Sequence, residues 1–143
     1  MKWTDALRLA VGAHAGQLDK AGQPYILHPL RVSMRIARIT GYDEPAAVVA
    51  LLHDVLEDTD TDVWDLISEG YSDEIIQAVE AITHHEGESY IDYLKRVKQN
   101  DIALIVKLAD ISDNLGPERL DLLEPELAVR LIEKYGIALE TLR

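Results

Sequence analysis

Apolar residues recur at helical spacing along nearly the whole of this 143-residue chain. Val48, Leu51, Leu52 and Val55, for example, follow the i, i+3, i+4, i+7 rule of one helix face. Alternating β-branched runs bounded by turn residues, which would indicate strands, are missing from the sequence. The pattern therefore predicts an all-α fold, and the length predicts one compact domain, residues 1–143. Because Phe is absent, the two tryptophans and six tyrosines are expected to supply much of the bulk of the core.

Residues that start or end helices divide the chain into about eight helices, which we expect to pack as a bundle. The third predicted helix begins at Pro45 and runs without interruption through AAVVALLHDVLED. The other expected starts are Thr4, Pro29, Thr61 or Asp62, Ser72, Ser89, Asp101 and Pro125.

The charge balance is strongly acidic, with 26 Asp and Glu residues, 14 Lys and Arg residues and a formal net charge of −12. This charge disfavours binding to nucleic acid or to an anionic membrane, so an anionic substrate needs a local positive site. The sequence has no Cys, no signal-peptide pattern at its N-terminus and no apolar stretch of about 18 residues. We therefore expect a cytoplasmic protein without disulfides, and the sequence leaves its oligomeric state open.

The stretch LLHDVLEDTDTD, residues 51–62, places a run of acids directly after two core leucines. His53 and Glu57, and likewise Asp54 and Asp58, are four residues apart and share one strip of a helix surface. Carboxylates that lie this close repel one another and raise each other's pKa unless a cation relieves them. The stretch is therefore either a solvated helix end with a partly buried His53 or one side of a cation site.

Two further residues favour the cation site. His28 stands at the start of the second predicted helix, and Asp110 interrupts the apolar series IALIVKLADI. If these helices pack together, His28, His53, Asp54 and Asp110 supply two imidazole nitrogens and two carboxylate oxygens. Such ligands suit a divalent ion such as Mn²⁺, Fe²⁺ or Zn²⁺ with positions open for water and substrate, and the absence of thiolates argues against a structural zinc site.

Three segments of the sequence carry a family resemblance. HAGQLDKAGQPYILHP (14–29), ALLHDVLEDT (50–59) and VKLADISDNL (106–115) resemble the signature segments of the HD-domain hydrolases of the RelA/SpoT type. That family includes small stand-alone alarmone hydrolases related to metazoan SpoT homologues. The resemblance implies an all-helical bundle and Mn²⁺-dependent removal of the 3′-pyrophosphate from guanosine tetra- or pentaphosphate (ppGpp or pppGpp).

Residue by residue, the resemblance implies three groups of site residues. The metal ligands are His28, His53, Asp54 and Asp110, with Mn²⁺ as the expected ion and Fe²⁺ or Zn²⁺ as alternatives. The catalytic acids, which orient the attacking water or take its proton, are Glu57 and Asp58. The resemblance also implies that Lys20 and Asn114 contact the substrate. Tyr25, which lies between the loop and His28, and Lys107 are expected to be further substrate contacts.

The chain departs from the family pattern at positions that affect the substrate more than the metal. Asp19 stands where family members commonly have Arg, and Ile111 and Asp113 stand where they commonly have Arg and His. The same metal chemistry on an adenine alarmone, a nucleoside phosphate or an NADPH-type dinucleotide therefore stays open. A non-catalytic regulator or antitoxin on the same scaffold is the third alternative, which the retained acidic pair disfavours.

Two polar clusters outside these segments are predicted to be structural. His84 and His85 are adjacent, so their side chains diverge on a helix, and we interpret them as a polar helix end or loop. Lys95, Arg96 and Lys98 are expected to form a solvated helix face, with attraction of a phosphate-rich substrate as the alternative.

Overall fold

The computed structural model describes residues 2–143, and regular structure in this range is almost entirely α-helical. Eight helices have six or more residues, which agrees with the predicted number, and two more have only four. In chain order they are α1 (Trp3–Ala13), α2 (Leu27–Thr40), α3 (Pro45–Leu52), α4 (Val55–Asp58), α5 (Val63–Ser68), α6 (Asp73–Ile82), α7 (Tyr90–Lys98), α8 (Asp101–Asn114), α9 (Pro117–Leu120) and α10 (Pro125–Leu142).

Helix α3 forms the centre of the fold. Every residue from Ala46 to Leu52 is buried, and α3 packs against α1, α2, α6 and α8. A helix that is apolar on all sides is stable only when other elements surround it. The core is mostly aliphatic, because Trp64 is 74% exposed and only three tyrosines, Tyr71, Tyr93 and Tyr135, are buried. The expectation that aromatic residues supply much of its bulk is therefore wrong.

The starts of the helices agree with the sequence in most places. The side chains of Asp62, Ser72 and Ser89 accept hydrogen bonds from backbone N–H groups three residues later and so cap α5, α6 and α7. Two starts differ. Helix α1 begins at Trp3 rather than after a Thr4 cap, and α2 begins at Leu27 rather than at Pro29, which places His28 inside the first helical turn.

The predicted third helix is interrupted at the step from His53 to Asp54, which separates α3 from α4. His53 Nδ1 donates to the backbone carbonyl of Ala50 over 2.6 Å. In a continuous helix that carbonyl accepts from the backbone N–H of Asp54, so the imidazole competes with the helical hydrogen bond. The interruption turns His53 and Asp54 towards the same interior point.

The last helix, α10, packs against α7 and α8 and continues through Gly136 without a break. It closes the end of the bundle at which α3 ends, and it buries Tyr135 there. None of the helices formed by residues 2–143 is long and apolar enough to cross a membrane.

A candidate metal centre in an acidic cavity

The four predicted metal ligands meet at one point, and we call them the His/Asp cluster. His28 comes from the first turn of α2, His53 and Asp54 come from the α3–α4 step, and Asp110 comes from α8. His28 Nε2 lies 2.7 Å from Asp110 Oδ1 and 3.9 Å from Asp54 Oδ2. His53 Nε2 lies 3.0 Å from Asp54 Oδ2 and 3.4 Å from Asp110 Oδ1. Two ligands that are each about 2.1 Å from one ion lie at most about 4.2 Å apart, so the two atoms of each of these four pairs are close enough to share an ion. The ligand atoms of His28, His53 and Asp54 all lie within 4.8 Å of one another.

Both imidazoles are held through the nitrogen that faces away from the cluster. His53 Nδ1 donates to the carbonyl of Ala50, and His28 Nδ1 lies 2.7 Å from Asp113 Oδ2. Carbonyl and carboxylate oxygens only accept hydrogen bonds, so each Nδ1 carries a proton. In neutral rings the two Nε2 atoms then present lone pairs to the cluster, which is how histidines commonly bind metals.

The two imidazole nitrogens that face the cluster lie against carboxylate oxygens. His53 Nε2 is buried and has no hydrogen-bond partner within residues 2–143, although two carboxylates lie beside it. Burial opposes a charge on His53, but Asp54 and Asp110 outweigh it and raise the pKa of this imidazole well above its ordinary value. The cluster thus attracts positive charge, and its nitrogen and oxygen ligands can hold a divalent cation.

Three further residues fix the carboxylates of the cluster. Lys107, which is buried, donates to Asp110 Oδ2 over 3.0 Å, and Asn114 Nδ2 donates to Asp110 Oδ1 over 3.3 Å. The hydroxyl of Tyr25 donates to Asp54 Oδ2 over 2.6 Å. All three had been predicted to contact substrate, and all three line the cavity described below. In the structure the polar atoms of these three residues donate hydrogen bonds to the carboxylates of Asp54 and Asp110.

Asp113 is a residue of the site that the sequence did not assign. It is 3% exposed, and its carboxylate accepts hydrogen bonds from His28 Nδ1 and from Arg31 Nε, the latter over 2.9 Å. Arg35 and Arg119 approach the same carboxylate to 3.7 and 3.6 Å. Burial opposes its charge, but the bonds from His28 and Arg31 lower the pKa of Asp113 to about 2, so it stays ionised. The sequence signal that could have indicated this role is the position of Asp113 three residues after Asp110, on the same face of α8.

Replacing Asp113 with Asn is expected to weaken metal binding about 10- to 100-fold, because the charge that orients and polarises His28 is removed. Metal titration of the folded variant, followed by calorimetry, measures this change. Asp60→Asn, which neutralises an exposed acid outside the cavity, should leave the affinity unchanged. Equal metal affinities for Asp113→Asn and the wild-type protein would refute the role of Asp113.

The predicted acidic pair lies next to the cluster. Glu57 Oε1 accepts from the backbone N–H of His84 over 2.8 Å, which fixes the direction of that carboxylate. Burial, together with the charges of Asp54 and Glu57, raises the pKa of Asp58 to about 6. A carboxylate with such a pKa can accept a proton at neutral pH.

A cavity of about 680 Å³ opens over the cluster. Its size is within the range of small-molecule sites. The wall includes the predicted residue Lys20, together with Asp19 from the same loop, and α7 and α10 contribute tyrosines and Lys134. Asp19 Oδ1 accepts from the backbone N–H groups of Ala21 and Gln23, so the acid that replaces the family's Arg stabilises the loop.

In the basic cluster on α7, Lys95 and Lys98 are exposed, as predicted, whereas Arg96 is only partly exposed. Arg96 donates to both carboxylate oxygens of Glu88, over 3.0 and 2.8 Å, and to the backbone carbonyls of Glu80, Ala81 and Thr83. The guanidinium therefore satisfies carbonyl groups at the C-terminal end of α6. His84, in the loop that follows, does line the cavity, and its Nε2 donates to the carbonyl of Glu88.

This arrangement of two histidines and two aspartates on packed helices defines a class of protein. Residues 6–104 match the HD domain family, and the chain belongs to that family. The matched range contains His28, His53 and Asp54, whereas Asp110 and the whole of α10 follow it.

The HD domain family is broad, whereas the names of individual relatives specify an enzyme activity. The chain is 33% identical over 118 residues to the guanosine-3′,5′-bis(diphosphate) 3′-pyrophosphohydrolase of Aquifex aeolicus. This alignment covers 77% of this chain and 17% of the Aquifex protein. The chain is 34% identical over 121 residues to the enzyme of the same name from Borreliella burgdorferi, covering 77% of this chain and 18% of that one. The chain thus spans less than a fifth of the length of these relatives.

One solved structure has a fold similar to that of this protein over nearly the full length of the chain. It is described as a metazoan ortholog of SpoT that hydrolyzes ppGpp and plays a role in starvation responses. The TM-score is 0.73 at 25% identity, and the match covers 98% of this chain and 82% of the other.

Proposed function

We propose that this protein is a metal-dependent phosphohydrolase that removes the 3′-pyrophosphate of ppGpp. The observation that carries the proposal is the His/Asp cluster, in which two imidazole lone pairs and two carboxylates face one another at the base of a nucleotide-sized cavity. The names of the relatives and of the similar structure supply the substrate.

The expected ion is Mn²⁺, held by His28, His53, Asp54 and Asp110, with Fe²⁺ or Zn²⁺ as alternatives. When bound, a divalent ion supplies Lewis acidity that lowers the pKa of water and polarises a phosphoryl oxygen.

Glu57 and Asp58 act on the attacking water. Asp58, whose pKa is raised to about 6, takes a proton from the water at neutral pH. Glu57, held by the backbone of His84, orients the same water. The water oxygen attacks the phosphorus attached to the 3′ oxygen of the ribose. The bond from that phosphorus to the 3′ oxygen breaks, the 3′ oxygen keeps the electron pair and takes up a proton from solvent, and GDP and pyrophosphate leave.

Four residues contribute to substrate binding. Lys20 balances phosphate charge from the loop before α2. Lys107 and Asn114 extend from α8 beside Asp110, and Tyr25 stands between the loop and Asp54. The substrate is a small nucleotide, because the acidic surface disfavours nucleic acid and anionic membranes.

A nucleotide panel tests the substrate. Metal-stripped protein is reloaded with Mn²⁺, Fe²⁺ or Zn²⁺ and mixed separately with ppGpp, its adenine analogue, nucleoside phosphates and NADPH. We expect ppGpp to yield equal amounts of GDP and pyrophosphate, with Mn²⁺ most active and chelator-treated protein inactive. If ppGpp stays intact while NADPH or the adenine analogue is cleaved, the substrate assignment is wrong. If metal binds and no nucleotide is cleaved, the protein is a binding module.

A second substrate class is favoured by the position of Asp19. Its carboxylate lies in the cavity wall where family members commonly carry a cation, and it is engaged with the loop backbone. A nucleotide with less negative charge near the loop than ppGpp meets less repulsion there. The NADPH and nucleoside phosphate arms of the panel examine this candidate.

A further inference from the structure

The loop between α6 and α7, residues 83–89, holds the side chain of Glu57. The backbone N–H of His84 donates to Glu57 Oε1 over 2.8 Å. Within residues 2–143 this is the one hydrogen bond that the Glu57 side chain makes, and Glu57 is exposed. A glutamate side chain that is free in solvent samples several rotamers. The direction of this carboxylate therefore depends on where the loop places the N–H of His84.

The loop forms one hydrogen-bonded turn. The backbone N–H of Glu88 donates to the carbonyl of His85 over 3.1 Å, and His84 Nε2 donates to the carbonyl of Glu88 over 2.7 Å. Gly87 has a φ of +79°, a backbone conformation that favours glycine. Because these bonds join the two ends of the turn, the position of Glu88 determines that of His84.

Arg96 of α7 attaches this turn to the body of the fold. Its guanidinium donates to both carboxylate oxygens of Glu88 and to the backbone carbonyl of Thr83, the latter over 2.7 Å. Two further bonds reach carbonyls in the last turn of α6. The bonds from Arg96 lower the pKa of Glu88 to about 2, so this pair is ionised at neutral pH. Arg96 thus contacts the chain on both sides of His84.

We propose that Arg96 is a positioning residue, which fixes residues 83–88 and, through the N–H of His84, directs the carboxylate of Glu57 towards the attacking water. The inference rests on the proposed function for the role of Glu57. Arg96 does not line the cavity, so it acts without touching the substrate. A residue in this position controls the rate of the chemical step rather than the affinity for metal or nucleotide.

Steady-state kinetics of the Mn²⁺-loaded full chain measure this effect on the nucleotide that is cleaved. Arg96→Met should lower kcat about 10- to 100-fold and leave KM unchanged, because a misdirected Glu57 no longer orients the water. Arg96→Lys should lower kcat nearly as much, because one ammonium group cannot replace the forked guanidinium. A wild-type rate in Arg96→Lys would show that only the charge matters and would overturn the positioning role.

A double-mutant cycle separates positioning from a general loss of stability. Glu57→Ala leaves no carboxylate to direct, so adding Arg96→Met to it should lower kcat no further. A substitution that only destabilised the fold would lower the rate by the same factor in both backgrounds. Glu88→Gln weakens the bonds to Arg96 and should lower kcat about threefold. It provides the same comparison if Arg96→Met does not fold.

Hydrogen exchange followed by NMR examines the link without substrate or metal. The amide of His84 should exchange about tenfold faster in Arg96→Met than in the wild-type protein, because the loop that pairs it with Glu57 is loosened. The matched control is Lys95→Met, which removes an exposed cation from the preceding position of α7. It should leave kcat, KM and the exchange rate unchanged. The role of Arg96 is refuted if Arg96→Met leaves that exchange unchanged, or lowers kcat equally in both backgrounds.

The exchange measurement needs no turnover, so the positioning role and the proposed function can fail separately. A protein that cleaves ppGpp, but whose His84 amide exchanges equally fast in the wild-type and Arg96→Met forms, has the proposed function without the positioning role. A protein that cleaves no nucleotide, but whose His84 amide loses protection in Arg96→Met, has the link from Arg96 to Glu57 without that function.

Discussion

Asp54→Ala is expected to bind no divalent ion and to lose turnover completely. The substitution removes the oxygen that lies 3.0 Å from His53 Nε2 and leaves the cluster with one carboxylate instead of two. The wild-type protein should gain about 2.7 kcal/mol of unfolding free energy when Mn²⁺ is present at 100 times its dissociation constant. For a chain of this size that gain corresponds to a rise in Tm of about 5–10 °C. Asp54→Ala should show no such rise.

The matched control is Asp60→Ala, which removes an exposed acid six residues further along the chain. It should keep the Mn²⁺-dependent rise in Tm and the rate of the wild-type protein. Circular dichroism establishes that both variants are folded before the comparison. Full activity of Asp54→Ala, or of wild-type protein in metal-free buffer, would contradict a metal-dependent reaction.

Neutralising the acidic pair is expected to slow the reaction without loss of the metal. Asp58→Asn should lower kcat about 10²- to 10⁴-fold, because the group that accepts the proton of the attacking water is lost. Glu57→Gln should lower kcat less, since an amide oxygen can still accept from the backbone of His84. The Mn²⁺-dependent rise in Tm should persist in both variants, since the proposed mechanism assigns neither residue as a metal ligand. Near-normal rates in both variants would exclude the proposed roles.

The pH dependence of kcat gives a second measure of Asp58. Burial and the charges of Asp54 and Glu57 raise its pKa to about 6, and a proton acceptor must be ionised. The rate of the wild-type protein should therefore fall as the pH decreases through the pKa of Asp58. A bound cation favours the ionised carboxylate and moves this fall to a pH below about 6. In Asp58→Asn the residual rate should lack this acidic limb.

Much of the fold could be predicted because it depends on local patterns. Helical periodicity predicted the number of longer helices, and Asp62, Ser72 and Ser89 cap helices as expected. The convergence of His28 and Asp110 with the step at residues 53–54 followed from a hypothesis about helix packing and from a family resemblance. In both cases the residue types themselves carried the information.

What the sequence did not predict depends on contacts between distant segments. In the sequence Asp113 is only a departure from the family pattern, and its role becomes visible once α2 brings His28 and Arg31 against α8. Arg96 was interpreted as a solvated cation, because periodicity cannot show that Glu88 and the end of α6 surround it. The interruption after α3 depends on a side chain that competes for a backbone carbonyl, which no propensity scale describes.

The separation between α10 and the proposed metal ligands has a consequence for how the protein can change. All four residues of the His/Asp cluster lie between residues 28 and 110, whereas Leu131, Lys134 and Tyr135 reach the cavity from a helix that begins at Pro125. Sequence variation at Leu131 and Lys134 can thus retune which molecules enter, provided that Tyr135, whose hydroxyl accepts a hydrogen bond from Asn114, is kept. Swapping this one terminal segment between relatives is consequently a direct route to altered selectivity at constant chemistry.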